Sequence, residues 1–129
     1  MRFEQSFVFD TAHAAGTYTE LATINGKNVC LTSLIVQNKS GGDTDVSIKI
    51  QHLASDGTTT TDLEVIESIT LSTTRTYNFM NEGNTGSLGL NELFIPHNSK
   101  IFVKSSVLNA INVVATFKHY QQWENISNT

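Results

Sequence analysis

The chain has 129 residues, a length that fits one domain able to bury its own core without covalent cross-links. Twelve acidic residues against eight basic ones give a formal net charge of −4, which leaves no basic field for holding nucleic acid. The single cysteine excludes an internal disulfide and a cysteine metal cage, and no apolar run approaches the about 18 residues of a membrane span. The composition therefore predicts one soluble domain, residues 1–129, made in a cytoplasm.

The surface is predicted to be polar but poorly charged. Only 16% of the residues are charged, against roughly 25% in an average soluble domain, while Thr, Ser, Asn and Gly are abundant. A neutral coat of this kind suits a β surface that touches other proteins, and it equally suits any strand-rich domain.

The N-terminal residues 1–10 predict a strand or an arm. Phe3, Phe7 and Phe9 have the same parity, so they give this segment an apolar face. The segment can be an edge strand of its own sheet or an arm that pairs with another subunit, and we predict these three phenylalanines as partner contacts.

The next two predicted strands are joined by a strong turn signal. A Thr-rich strand, residues 17–24, is followed by Asn25-Gly26, and this dipeptide between β-prone segments predicts a hairpin. The returning strand, residues 28–37, is apolar on both faces, which predicts a central strand covered on two sides or one whose outer face meets a partner. Cys30 lies in this strand, and we predict a buried, inert thiol.

Two further strands follow with clear alternation. Val46, Ile48 and Ile50 alternate with polar residues, which is typical of a strand with one buried face. In the strand that begins near Leu63, Glu67 falls on the inward parity, and a lone buried carboxylate is costly. The sequence therefore predicts a bulge near Glu67 or a break between two short strands.

The segment from Leu93 to His119 has the clearest pattern. Residues 93–95 lead into a turn, residues 101–104 alternate, and residues 111–117 alternate again, so we predict a third strand entering a hairpin. Beyond it, the tail of residues 120–129 places Tyr120, Trp123 and Ile126 three apart, which suits one helical turn. Either this tail closes the end of its own domain or it docks on a neighbour, and these three residues are predicted partner contacts.

The whole pattern predicts an all-β fold. Eight to nine strands with turn signals every eight to twelve residues, and no useful helical periodicity, are typical of an antiparallel β-sandwich, jelly-roll-like or Ig-like.

Motifs for catalysis or cofactor binding are not found in the sequence. There is no G-x-S-x-G elbow, and His13, His52, His97 and His119 are scattered singly. Asp62 and Glu64 share a face that suits a solvated strand. We therefore predict no enzyme, no catalytic residues, no metal and no cofactor.

Three segments together resemble a known family. Leu31–Asn38, followed by a Gly-rich turn and the strand Asp45–Gln51, resembles the hairpin near the start of small β-sandwich virion proteins of tailed bacteriophages. Leu93–Lys104 resembles their strand, proline-containing turn and strand, and Leu108–Ala115 is similar to their last strand.

This resemblance implies a structural role without catalytic residues. The expected function is capsid decoration or cement, with a tail, neck or fibre-base component as the alternative. The implied partners are the major capsid protein or tail proteins and further copies of the chain, with a trimer favoured, in a virion assembled in the bacterial host cytoplasm. A second hypothesis is a carbohydrate- or receptor-binding module that uses the aromatic and amide residues of segment 77–84.

Overall fold

The structure is a computed structural model that describes residues 3–10, 15–25, 29–80 and 93–120, with the backbone alone described for residues 3–10, 119 and 120. These residues form nine strands: β1 Phe3–Asp10, β2 Thr19–Ile24, β3 Val29–Asn38, β4 Thr44–Leu53, β5 Thr60–Leu71, β6 Thr76–Asn78, β7 Leu93–Ile95, β8 Ser99–Ser105 and β9 Ile111–Tyr120.

The strands form two antiparallel sheets, so the predicted β-sandwich is confirmed. The first sheet has the order β1-β9-β3-β6, and β7 also pairs with β3. The second sheet has the order β2-β8-β4-β5. Since β6 and β7 both lie beside β3, the nine strands fill eight positions. The chain crosses between the sheets at every connection except those from β4 to β5 and from β6 to β7. This strand order is that of a jelly roll rather than that of an immunoglobulin domain.

The core lies between the two sheets. Period-two alternation turns one side of each strand inward, because successive side chains of a strand point to opposite faces. Ile101 and Val103 of β8 and Val113 and Ala115 of β9, from opposite sheets, belong to one buried cluster, and all four are at most 1% exposed. Phe79 and Met80, directly after β6, are buried in the same cluster.

The two predicted hairpins, one at Asn25-Gly26 and one within the segment from Leu93 to His119, are wrong. β2 and β3, on either side of Asn25-Gly26, lie in different sheets, where β2 pairs with β8 and β3 pairs with β9. In the same way, β8 and β9 lie in opposite sheets. A turn signal followed by an alternating strand is the same whether the chain folds back in one sheet or crosses to the other, so local sequence does not separate the two.

The bulge predicted in β5 is confirmed, and the prediction for β3 is confirmed in part. β3 is central in its sheet, with β9 on one side and β6 and β7 on the other. The second sheet covers its inner face alone, so a partner on its outer face stays a prediction. In β5, the register moves from Ile69 opposite Val46 to Ile66 opposite Ile48, so that Glu67 and Ser68 together oppose one residue of β4. This bulge turns the side chain of Glu67 out to an exposed position.

Cys30 differs from its prediction. It is half-buried rather than fully buried, because it lies on the outward side of β3, where no second sheet covers it.

One end of the sandwich is held together by a buried amide. Asn38 is fully buried, and its Nδ2 donates to the carbonyl oxygens of Gly42 and Leu71, each at 2.9 Å. Its Oδ1 accepts from the backbone N–H and the hydroxyl of Ser40, at 2.9 and 2.7 Å. The loop after β3 is therefore tied to the end of β5.

Candidate interaction surfaces

Among the side chains that the structure describes, those on the outward side of the first sheet carry almost no charge. Residues that lie directly opposite each other in an antiparallel pair share a face, so the register of β3 with its neighbours defines this surface. Of the described side chains on it, only Lys118 is charged. We call it the neutral face, and its described side chains are Cys30, Thr32, Ser33, Ile35 and Gln37 of β3, Thr76 and Asn78 of β6, Phe94 of β7, and Asn112, Val114, Thr116 and Lys118 of β9.

The middle of the neutral face is apolar. Ile35 lies directly opposite Val114, and both side chains are half-buried although no second sheet covers them. Phe94, at one side, is 59% exposed. An exposed aromatic and a central pair of β-branched residues are features of protein interfaces more than of a fully solvated sheet.

An amide pair lies beside this apolar centre. Asn112 Nδ2 donates to Gln37 Oε1 at 3.2 Å, which leaves Asn112 Oδ1 buried and without a hydrogen-bond partner within the described part of the chain.

The backbone of β1 continues the first sheet beyond β9. Its register places Phe7 opposite Thr116 and Phe9 opposite Val114. Two of the three predicted contact residues at the N-terminus therefore pair with residues of the neutral face, and Phe3 pairs with Tyr120 at the far end of β9.

The remaining predicted contacts are described less fully. Tyr120 is the last residue of β9, where only its backbone is described, and Trp123 and Ile126 lie outside the described residues. The structure therefore brings Phe3 and Tyr120 together as a backbone pair and leaves the tail as a prediction.

The outward side of the second sheet is strongly charged. Lys49 forms an ion pair with Asp62 at 3.1 Å, and Lys100 lies 3.5 Å from Glu20. Exposed pairs of this kind contribute little to stability. We call it the charged face, and its outward side chains are Glu20 of β2, Lys100, Phe102 and Lys104 of β8, Ser47, Lys49 and Gln51 of β4, and Asp62 and Glu64 of β5.

A tyrosine is fixed across the charged face. The hydroxyl of Tyr18 donates to Glu64 Oε1 at 2.6 Å, and the ammonium groups of Lys49 and Lys104 lie 4.5 and 4.7 Å from its ring centroid. The ring also meets Phe102 edge to face at 6.5 Å between centroids. Partial burial, and then the adjacent Glu64 carboxylate, raise the pKa of Tyr18 to about 12. Sequence reasoning missed this cluster, because its members come from four separate segments.

An open cleft of about 530 Å³ lies beside Tyr18, lined among others by Asp45, Glu67 and Lys104. In the described ranges, no three His, Cys, Asp or Glu side chains are grouped so as to hold a metal ion. The same residues contain no helix long and apolar enough to cross a membrane.

The aromatic residues considered for sugar binding are packed rather than displayed. Phe79 is 1% exposed, and Tyr77 stacks on it with 5.6 Å between ring centroids. Arg75 covers the Tyr77 ring at 4.5 Å. The part of segment 77–84 from residue 81 onward lies outside the described residues, so this segment offers no described aromatic platform for a sugar.

Comparison with known proteins gives structural matches alone, since no family model and no curated protein sequence matches the chain. One solved structure that matches this chain is of a viral particle, the T13 particle of infectious bursal disease virus, in work on the evolution of icosahedral viruses. The match has a TM-score of 0.57 and 13% sequence identity, and it covers 92% of this chain and 31% of the matched chain.

The second structure is of the Gt strain of infectious bursal disease virus. It matches with a TM-score of 0.52, at 14% identity, over 92% of this chain and 32% of that chain. The chain thus spans about a third of the length of the viral chains it matches. At these identities the similarity shows a shared fold.

Proposed function

We infer that the chain is a non-enzymatic structural protein of a virus particle, which acts through protein–protein contacts. The observation that carries this proposal is the contrast between the two outer faces of the jelly roll. The charged face presents ion-paired lysines and carboxylates, while the neutral face presents Ile35, Val114 and the exposed Phe94. The fold shared with chains of virus particles supports the same conclusion.

The proposed role within the particle is decoration or cement of the capsid. Many copies on a symmetric lattice can each bury a modest area, and the multiplicity makes the attachment strong. A tail, neck or fibre-base component would use the same contacts. The tailed-bacteriophage context, with assembly in a bacterial cytoplasm on a major capsid or tail protein, is supported by the sequence resemblance alone.

The proposed contact elements are the two ends of the chain together with the neutral face. At the N-terminus these are Phe3, Phe7 and Phe9, whose strand runs beside the neutral face. At the C-terminus they are Tyr120, Trp123 and Ile126.

The first test asks whether the chain belongs to particles at all. Particles from cells that carry this sequence are purified on a density gradient, and mass spectrometry measures the ratio of the chain to the most abundant particle protein. We expect a constant ratio across the particle peak. A chain that stays in the soluble fractions would contradict the proposal.

The second test locates the contact. Particles stripped of the chain are mixed with the full chain or with a variant that ends at His119, and bound protein is measured by pelleting. We expect the full chain to pellet and the truncated one to remain in solution with unchanged circular dichroism. If the truncated chain pellets equally well, the tail is not a contact element.

A further inference from the structure

We propose that the neutral face pairs two copies of this chain face to face about a two-fold axis, with the Ile35–Val114 pair of each copy at the centre. This inference rests on the proposed function, since it names the partner of the same surface. It commits to a second copy and therefore to a dimer, whereas the sequence resemblance implies a trimer.

The size of the face supports a pairing of whole faces. The four strand positions of the first sheet hold 8 residues in β1, 10 in β9, 10 in β3 and 3 each in β6 and β7. At about 3.3 Å per residue and about 4.8 Å between strands, they give a footprint on the order of 500 Å². Two such footprints total roughly 1,000 Å², which is about the area that a biological interface has to bury. A partner that covered only half of the face would fall below that area, whereas a second copy presents a surface of matching extent.

The charge distribution favours a contact of the face with itself. Like charges that face each other across an interface repel, so a surface can meet its own copy only when charges are few. Lys118 is the one charged side chain described on this face, and it lies two residues from the end of β9, away from the apolar centre. The charged face is less suitable, because a two-fold contact there would bury the Lys49–Asp62 and Lys100–Glu20 pairs.

The geometry of the centre allows close packing. Sheets that pack face to face lie about 10 Å apart, with side chains from the two faces interdigitating. Ile35 and Val114 form one β-branched cross-strand pair, and a two-fold axis through this pair brings it against its equivalent in the other copy. Thr116, the next outward residue of β9, is small enough to flank the contact.

The test is sedimentation equilibrium of the purified full chain, over about 5 to 500 µM, with charge variants at the centre of the face. The wild-type chain should approach twice its 14.2 kDa mass as concentration rises. Val114→Lys and Val114→Glu should each stay monomeric, because each places two like charges across the axis. An equimolar mixture of the two should regain the dimer, because opposite charges then meet.

Matched controls separate a lost interface from a lost fold. Thr61→Lys and Thr61→Glu make the same charge changes at an exposed position on β5 of the second sheet and should leave the dimer unchanged. Thr116→Lys and Thr116→Glu repeat the central experiment at a residue that is already polar, in case the valine variants unfold. Circular dichroism and urea midpoints confirm that each variant is folded.

Several results would overturn the proposal: a wild-type mass of 14.2 kDa at all concentrations, a trimer mass, or a dimer that persists in folded variants of both signs. These outcomes are independent of the particle test. If the chain is monomeric in solution but keeps a constant ratio to the most abundant particle protein, the two-fold pairing alone is contradicted. If the chain is a dimer that is absent from particles, the virion role alone is contradicted.

Discussion

The amide of Asn38 shows how one polar side chain stabilises an end of this jelly roll. It is fully buried, and it makes two donor and two acceptor hydrogen bonds. An amide side chain has both kinds of group at the right distance, which neither a carboxylate nor a hydroxyl can reproduce. The backbone N–H of Asn38 also donates to Arg75 O at 2.9 Å, so the turn before β6 joins the same network.

Replacing this amide should weaken the whole domain. We expect Asn38→Ala to lower the free energy of unfolding by about 2 to 3 kcal/mol, because the carbonyl oxygens of Leu71 and Gly42 lose their donor, the first of them in a buried hydrogen bond. Urea unfolding at pH 7 measures the change, and Ser55→Ala in an exposed turn is the control. A loss below about 0.5 kcal/mol would show that water replaces the amide without cost.

The aspartate variant adds a pH dependence to the same site. In Asn38→Asp the carboxylate would face carbonyl oxygens, and this raises its pKa above the unfolded value. When the pKa of a group is higher in the folded chain than in the unfolded chain, the group stabilises the fold fully at pH values below its pKa in the unfolded chain. This stabilisation is lost as pH rises through the pKa in the folded chain. The free energy of unfolding of Asn38→Asp should therefore be closer to that of wild type at pH 4 than at pH 7.

At the scale of one strand, the bulge in β5 decides which way its side chains point. Ser68 has a φ of 56°, a left-handed conformation, and its backbone N–H donates to Ser47 Oγ at 2.9 Å. This local geometry turns the carboxylate of Glu67 outward and returns Ile69 to the inner side. A long edge strand also benefits, since bulges discourage pairing with strands of other molecules.

Because the backbone at Ser68 is left-handed, we expect the stability of the domain to depend on which side chain stands at position 68. Ser68→Val should lose about 1 to 2 kcal/mol of stability, because a β-branched residue tolerates positive φ poorly, while Ser68→Gly should be nearly neutral. Thr61→Val, in the same strand, should have little effect. Thermal unfolding compares the three, and equal midpoints for the Val and Gly variants at position 68 would contradict the strain argument.

Tyr18 connects elements across the charged face, since it precedes β2 and bonds to Glu64 of β5. We expect Tyr18→Phe to lose about 1 kcal/mol near neutral pH, where the hydroxyl is protonated and donates. Because the folded pKa is about 12 and the unfolded value is 10.0, the stabilisation is complete below pH 10 and is lost as pH rises towards 12.

Urea unfolding of wild type and Tyr18→Phe at pH 7, 10 and 12 measures this dependence. The difference between the two proteins should shrink over the last interval. Tyr77→Phe removes a hydroxyl from another half-buried tyrosine and serves as the control. A wild-type advantage that stays constant up to pH 12 would contradict the proposed role of the Tyr18–Glu64 bond.

At the scale of the whole molecule, the first sheet depends on the N-terminal strand. β1 pairs with β9 over eight residues and forms the edge of the sheet within the same chain. Its removal would leave the edge of β9 unpaired, and such an edge invites association with other strands.

Deleting residues 1–10 should therefore lower the thermal midpoint and promote aggregation, while deleting residues 121–129 should leave the midpoint nearly unchanged. Differential scanning fluorimetry and light scattering compare the two truncations with the full chain. A stable, monodisperse chain without residues 1–10 would favour the alternative interpretation, in which this segment is an arm that finds its partner on another subunit.

The sequence by itself determined the all-β class, the approximate strand bounds, the central position of β3 and the bulge near Glu67. These follow from period-two alternation and from the cost of burying a lone carboxylate, which are properties of neighbours along the chain. The apolar outer side of residues 28–37 also indicated where a partner could bind.

Only the tertiary structure decided the strand order and the composition of the surfaces. A turn such as Asn25-Gly26 is followed by the same alternation whether the chain returns in one sheet or crosses to the other, so two hairpin predictions failed. Likewise, Ile35 meets Val114, and Tyr18 meets Glu64, across separations of 79 and 46 residues. Contacts of that range depend on how the sheets assemble, which no local pattern encodes.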